Sequence, residues 1–173
     1  MAKVEVATIP AQAFSGTRNV LSPGQLTSQQ NTSAYRACWA VDDSATAGAG
    51  SVPFVCPDTY TGSGTLKADI YFASGTQNSG TAAFGIYIEA ITAGSDTLNV
   101  TTTDSFDATS TNLGTSDLSG STAGDLLKQT ISVTTKDSIA AGDHTRLIFY
   151  RNVATDSVSD DLYVYLVELY EET

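Results

Sequence analysis

The chain has 173 residues, 41% of them hydrophobic and 16% charged, and its 19 acidic against 8 basic side chains give a net charge of −11. This composition excludes intrinsic disorder, which combines low hydrophobicity with high charge, and the acidic balance excludes nucleic-acid binding, which needs clustered Lys and Arg. A chain of this length buries about two thirds of the surface its unfolded form exposes, so one domain spanning residues 1–173 is expected. No apolar run approaches the ~20 residues needed to cross a bilayer, and no charged segment followed by an apolar one opens the chain, so a soluble protein without a membrane partner is expected.

Lys3 to Ile9 reads as a first strand that Pro10 stops. From Ala11 to Ser33 the residues are polar and rich in turn formers, with Ser22-Pro23-Gly24 a tight turn, which predicts a long loop or extended arm; residues 1–33 are then strand plus arm, and 34–173 the core. Tyr35 to Val41 resumes strand character with Trp39 as a core anchor, Asp42-Asp43-Ser44 ends it, and the small residues Ala45 to Ser51 make a flexible connection. A short edge strand follows at Val52 to Cys56. Leu66, Ala68, Ile70 and Phe72 then alternate with Lys67, Asp69 and Tyr71, and beyond a turn at Ser74 to Gly80 the set Phe84, Ile86, Ile88 and Ala90 alternates with Gly85, Tyr87 and Glu89. These two strands are expected to pair as a hairpin.

Thr92 to Gly124 holds sparse apolar residues at Leu98, Val100, Phe106, Leu113 and Leu118, fitting short strands and long loops. Strands follow at Gln129 to Thr135 and His144 to Arg151, with a turn at Ala141-Gly142-Asp143 between them. Leu162 to Tyr170 closes the chain, apolar on both faces: Tyr163, Tyr165, Val167 and Leu169 on one, Leu162, Val164 and Leu166 on the other. Either this strand lies in mid-sheet under a long loop, or a second subunit covers it, and Tyr163, Tyr165, Val167 and Leu169 are its interface candidates. No segment sustains a helical period. The expected fold is therefore all-β, an antiparallel β-sandwich of jelly-roll type with an extended N-terminal arm or long loop.

The residues that carry chemistry are few. His144 is the one histidine, with no nucleophile elbow near it, and one His with two Cys lacks the local ligand pairs of a zinc site. Cys38 and Cys56 are either buried thiols or a bridge between neighbouring strands. Asp42, Asp43, Asp156, Asp160 and Asp161 offer hard oxygen ligands that a calcium ion would take, though Asp also builds turns by bonding its own backbone. Asp69 and Glu89 form a carboxylate pair of the kind glycoside hydrolysis uses, or the polar face of a solvated sheet. Tyr71 and Tyr87, sharing the outer face of the expected hairpin, would make a stacking platform for a sugar or a protein, or a cross-strand pair that stabilises the sheet. Asn31-Thr32-Ser33 and Asn99-Val100-Thr101 match the glycosylation sequon. No cofactor and no catalytic set is expected.

Seven segments taken in order resemble a group of phage-associated jelly-roll proteins found among virion structural components. They are Val-Ala-Thr-Ile-Pro-Ala-Gln at 6–12, Cys-Trp-Ala-Val-Asp-Asp at 38–43, Leu-Lys-Ala-Asp-Ile-Tyr-Phe at 66–72, Phe-Gly-Ile-Tyr-Ile-Glu-Ala at 84–90, Ala-Gly-Asp at 141–143, Leu-Ile-Phe-Tyr-Arg-Asn at 147–152 and the closing segment at 160–170. The resemblance implies a capsid decoration or cement protein on the virion surface, a homo-oligomer with a trimer favoured, the major capsid protein or another virion protein as partner, and no catalytic residues. The alternative is a carbohydrate-binding β-sandwich or adhesion module, which would present aromatics beside Asp, Asn or Arg side chains.

Overall fold

The computed structural model describes residues 2–16, 22, 23, 25–31, 34–44, 46–96 and 112–173. Along the chain run β1 (Lys3–Pro10), a 3-10 turn (Ala11–Ala13), β2 (Phe14–Gly16), β3 (Ser22–Pro23), β4 (Gln25–Asn31), β5 (Ala34–Val41), β6 (Ala47–Ser51), β7 (Phe54–Val55), β8 (Thr65–Ser74), β9 (Thr81–Ile91), β10 (Asn112–Asp117), β11 (Leu127–Ser132), β12 (His144–Arg151) and β13 (Leu162–Glu172). The sequon at Asn99 and the apolar positions Leu98, Val100 and Phe106 lie outside the described residues.

Two sheets face each other. The first runs β11-β8-β13-β5-β4, with β1 beside the second half of β13; the other runs β10-β9-β12-β6-β2, with β3 on β6 and β7 on β12. Every pairing is antiparallel except β3 on β6. Alternation explains the layering. Leu66, Ala68, Ile70 and Phe72 of β8 point inward to meet Phe84, Ile86 and Ile88 of β9 and Leu147 and Phe149 of β12, and all of these are buried. Phe72 meets Phe84 edge-on at 5.1 Å and Phe14 meets Phe149 at 4.9 Å, contacts worth about 1 kcal/mol each beyond the area they bury. Trp39 is buried as the alternation requires, and its indole N–H donates to the Ala11 carbonyl at 2.6 Å.

Four expectations are corrected. First, β8 and β9 do not form a hairpin: β8 pairs with β13 and β11, whereas β9 pairs with β12 and β10 in the other sheet. The segment between them crosses from sheet to sheet, and Asp160, far along the chain, braces it by accepting from Ser74 Oγ, Thr76 N–H and Thr76 Oγ1. Second, the described residues of the expected arm belong to the sandwich. Residues 25–31 pair with β5 through seven consecutive rungs, from Gln25 opposite Ala40 to Asn31 opposite Ala34. A strand at the end of a sheet is held by its backbone ladder and needs no apolar stripe, so neutral polar residues hid it.

Third, the small-residue run contains β6. A Cβ on Gly48 would overlap the Phe149 carbonyl oxygen, so the glycine is what lets β6 close onto β12. Fourth, the two-sided apolar character of β13 comes from a bulge. Its register on β8 shifts between Val164 and Leu166, so Leu162 and Val164 point inward before the shift and Val167 and Leu169 after it. Read without the bulge, the strand looks apolar on both faces; it is also central, flanked by β8 on one side and by β5 and β1 on the other. Val167 and Leu169, both wholly buried, belong to the core and present no surface to a partner.

Candidate functional site

The outer face of the first sheet brings together four of the residues singled out from the sequence, Tyr71, Tyr163, Tyr165 and Asp69. Tyr71 lies between the inward Ile70 and Phe72, and Tyr163 between the inward Leu162 and Val164, so both rings point away from the core. The bulge places Tyr165 and Leu166 side by side on the same face, with Leu166 opposite Tyr71 and Tyr163 opposite Ala73. Tyr71, Tyr163 and Tyr165 are each half-buried. Arg36 of β5 lays its guanidinium over the Tyr165 ring, 5.9 Å from the centroid.

Next to the tyrosines is a polar network that the sequence did not reveal. The Asp69 carboxylate, 2% exposed, accepts from Thr130 Oγ1 at 2.6 Å, Lys128 Nζ at 2.9 Å and Tyr170 Oη at 3.2 Å. Glu168, directly opposite Asp69 across the β8–β13 ladder, accepts from Lys3 Nζ and from Tyr71 Oη, both at 2.9 Å. Lys3 Nζ also stands 4.0 Å from Asp69 and 4.0 Å from the Tyr170 ring centroid, and Lys67 pairs with Glu172. Burial pushes the Asp69 carboxyl up, but hydrogen bonds from Thr130 and Lys128 outweigh it and hold it below the usual range. The Lys3 hydrogen bond does the same for Glu168. Burial, helped by the neighbouring carboxylates, pushes the Tyr71 and Tyr170 hydroxyls up to about 12, so both remain donors.

At one end of this face, where β5 stops and β13 starts, Asp42, Asp43 and Asp161 bring carboxylate oxygens within 4.8 Å of one another. These are three of the five residues considered as calcium ligands. A calcium ion takes about 6–8 oxygen ligands, so these three carboxylates bring together only part of such a set. Asp161 is pushed above the usual range by burial first, then by the charges of Asp42, Asp160 and Asp43. Asp42 is held low because the side chain and backbone of Ser44 both donate to it. The other two residues are engaged elsewhere: Asp160 braces the β8–β9 crossing, and Asp156 accepts from Arg151 at 2.7 Å and from the Ala83 and Val158 amides.

Arg151 organises this end of the molecule. Its side chain has no exposure and donates to the carbonyls of Val41, Asp160 and Val158 as well as to Asp156, tying the end of β5 to the residues that precede β13. It therefore positions Asp42 and Asp161 from behind. Its signal was available in the sequence, because Arg151 shares the inward parity of Leu147 and Phe149, and an arginine at a core position must be paired.

The remaining candidates separate. Tyr87 lies on the outer face of the other sheet, stacked on Tyr150 at 4.8 Å and 18°, so Tyr71 and Tyr87 share no platform. A Cβ on Gly85 would overlap the Tyr150 ring, so that glycine makes room for the stack. Glu89 is likewise on that sheet, ion-paired with Arg146, and the proposed carboxylate pair with Asp69 does not form because the sandwich stands between them. Cys38 of β5 and Cys56, just after β7, are both buried and form no disulfide, and burial pushes the Cys56 thiol up to about 11.

The architecture defines a class: an all-β sandwich of two sheets that carries tyrosines and charged side chains on both outer faces. No family model matches the chain, and no curated protein matches it. Among solved structures it is similar to the Clostridium thermocellum endo-1,4-β-D-xylanase 10B in its carbohydrate-binding (CBM22-1) and catalytic (GH10) modules complexed with xylohexaose, at 12% identity and a TM-score of 0.46, with 98% of this chain and 28% of that one covered. It is also similar to a non-crystalline-cellulose-specific carbohydrate-binding module, CBM28, at 14% identity and a TM-score of 0.39, covering 91% of this chain and 89% of that one. The chain thus spans less than a third of the xylanase chain.

Proposed function

We propose that this chain is a non-catalytic carbohydrate-binding β-sandwich that holds a glycan on the outer face of its first sheet. One observation carries the reading: Tyr71, Tyr163 and Tyr165 share that face, half-buried, beside Arg36, Lys3, Lys128 and Glu168, which surround the buried Asp69. Sugar rings present apolar C–H faces that stack on tyrosine and hydroxyl edges that bond to charged side chains, and this face offers both within neighbouring strands. The two carboxylates do not form an acid–base pair for hydrolysis. Such a pair needs one acid held protonated, whereas Asp69 and Glu168 are both held low and both occupied by lysine.

The reading as a virion component loses two of its supports, since residues 25–31 of the expected arm are strand β4 and the two-sided look of the last strand comes from a bulge. Affinity electrophoresis tests the proposal. In native gels cast with soluble polysaccharides, the wild type is retarded by at least one of them and Tyr163→Ala with Tyr165→Ala restores free mobility. Free migration of the wild type through every polysaccharide overturns it.

A further inference from the structure

Between Glu5 and Asp42 the chain holds no Asp or Glu, and its charges there are Arg18 and Arg36, in a protein that carries 19 acidic residues. Within that stretch β4 ends the first sheet among the described residues, paired to β5 on one side through unbroken rungs. Half of the backbone N–H and C=O groups of an end strand point away from its one neighbour and are available to another strand. Natural end strands are blunted by Lys, Pro, a bulge or an inward charge. β4, with the sequence Gln-Leu-Thr-Ser-Gln-Gln-Asn, has none of these. The opposite end of the same sheet differs: β11 carries Lys128 and packs against β10 of the other sheet.

We propose that β4 pairs with β4 of a second copy of this chain, antiparallel about a two-fold axis at Ser28, so that two first sheets run on as one. In that register Gln25 lies opposite Asn31 of the second copy, Leu26 opposite Gln30 and Thr27 opposite Gln29, and no rung opposes two charges. Charge selects this edge. Two molecules of net charge −11 repel as they approach, and the acid-free stretch is where they meet without setting carboxylate against carboxylate. The axis stands perpendicular to the sheet, so both tyrosine faces look the same way. If the glycan reading holds, the dimer grips a polysaccharide at two points, with the gain in avidity that linkage brings.

Sedimentation equilibrium on the full chain, with no sugar present, tests the pairing independently of that reading. The wild type is expected to dimerise with increasing concentration. Ser28→Lys, which sets two ammonium groups across the axis, is expected to weaken the dimer by at least about tenfold while leaving the far-ultraviolet circular dichroism unchanged. Ser28→Cys is expected to form a covalent dimer under mild oxidation, because residues facing each other across such an axis lie about 4.5–5.5 Å apart at Cα. A wild type that stays monomeric at its solubility limit overturns the proposal, as does an oligomer that ignores Ser28→Lys and leaves Ser28→Cys uncrosslinked.

Discussion

Arg151→Met should be among the most damaging single substitutions in this protein. The guanidinium lies wholly inside and satisfies three carbonyls, at Val41, Asp160 and Val158, together with the buried carboxylate of Asp156. Methionine fills much of the volume but donates nothing, so three carbonyls lose this donor and Asp156 keeps only the Ala83 and Val158 amides. Removing one partner of a buried charge pair costs about 3–5 kcal/mol, and orphaned carbonyls keep the figure in that range rather than below it. For a chain of this length each kcal/mol moves the melting temperature by about 2–4 °C, so a fall of roughly 6–20 °C is expected by calorimetry. Arg151→Lys should fall between, because an ammonium cannot reproduce the planar fork that reaches several acceptors at once. The double variant Arg151→Met with Asp156→Leu should cost less than the sum of its singles by about 1–3 kcal/mol, since the second change removes the stranded charge. A fall of less than ~2 °C for Arg151→Met would show that the segment from Asn152 to Asp161 holds without its arginine, and the reasoning about this end of the sandwich would fail.

Three further outcomes are expected. Asp69 and Glu168 are held low in the fold, so the stability they contribute is present above their unfolded values and is lost as pH falls through their folded ones; Asp69→Asn should therefore show a shallower loss of stability in acid than the wild type, read from urea unfolding at a series of pH values. Asp161 carries the opposite sign. Its carboxyl is held high by burial and by Asp42, Asp160 and Asp43, so the stability tied to its proton is lost as pH rises through the folded value, and Asp161→Asn should melt higher than the wild type at pH 7 without divalent ions and converge with it in acid; equal melting at neutral pH contradicts this. Finally, Cys38 and Cys56 should resist a thiol reagent until the chain is unfolded and then react as two, with a melting temperature that ignores reductant; a reductant-dependent shift would mean a bridge.

What was legible in the sequence follows one physical line. Where a strand buries one face and leaves the other polar, as in Leu66 to Phe72 or Phe84 to Ala90, period-two alternation marks both the strand and its inward residues, and each of those sets lies in the core. What escaped has causes that alternation does not carry. Whether β8 turns back on itself or crosses to the other sheet is settled by partners distant in sequence, β13 for β8 and β12 for β9. The bulge at Tyr165 inserts one residue and reverses the parity of everything after it, which disguised the inward Val167 and Leu169 as surface. β4 and β6 are built from residues with little side-chain preference and are held by backbone pairing and by glycines that allow close approach. The tyrosine face was half legible: Tyr71, Tyr163 and Tyr165 were recognisable as outward aromatics, but their shared surface depends on β8 lying beside β13, and Tyr87 was assigned to them only because a hairpin was assumed.

The central claim is that one outer face, and not the other, holds a glycan. Isothermal titration of the polysaccharide that retards the wild type, into Tyr165→Ala and Tyr87→Ala side by side, tests it most directly. The account predicts an affinity loss of about tenfold or more for Tyr165→Ala, the scale of one lost stacking contact, and no change for Tyr87→Ala on the opposite sheet. Wild-type affinity in Tyr165→Ala together with a loss in Tyr87→Ala would contradict it.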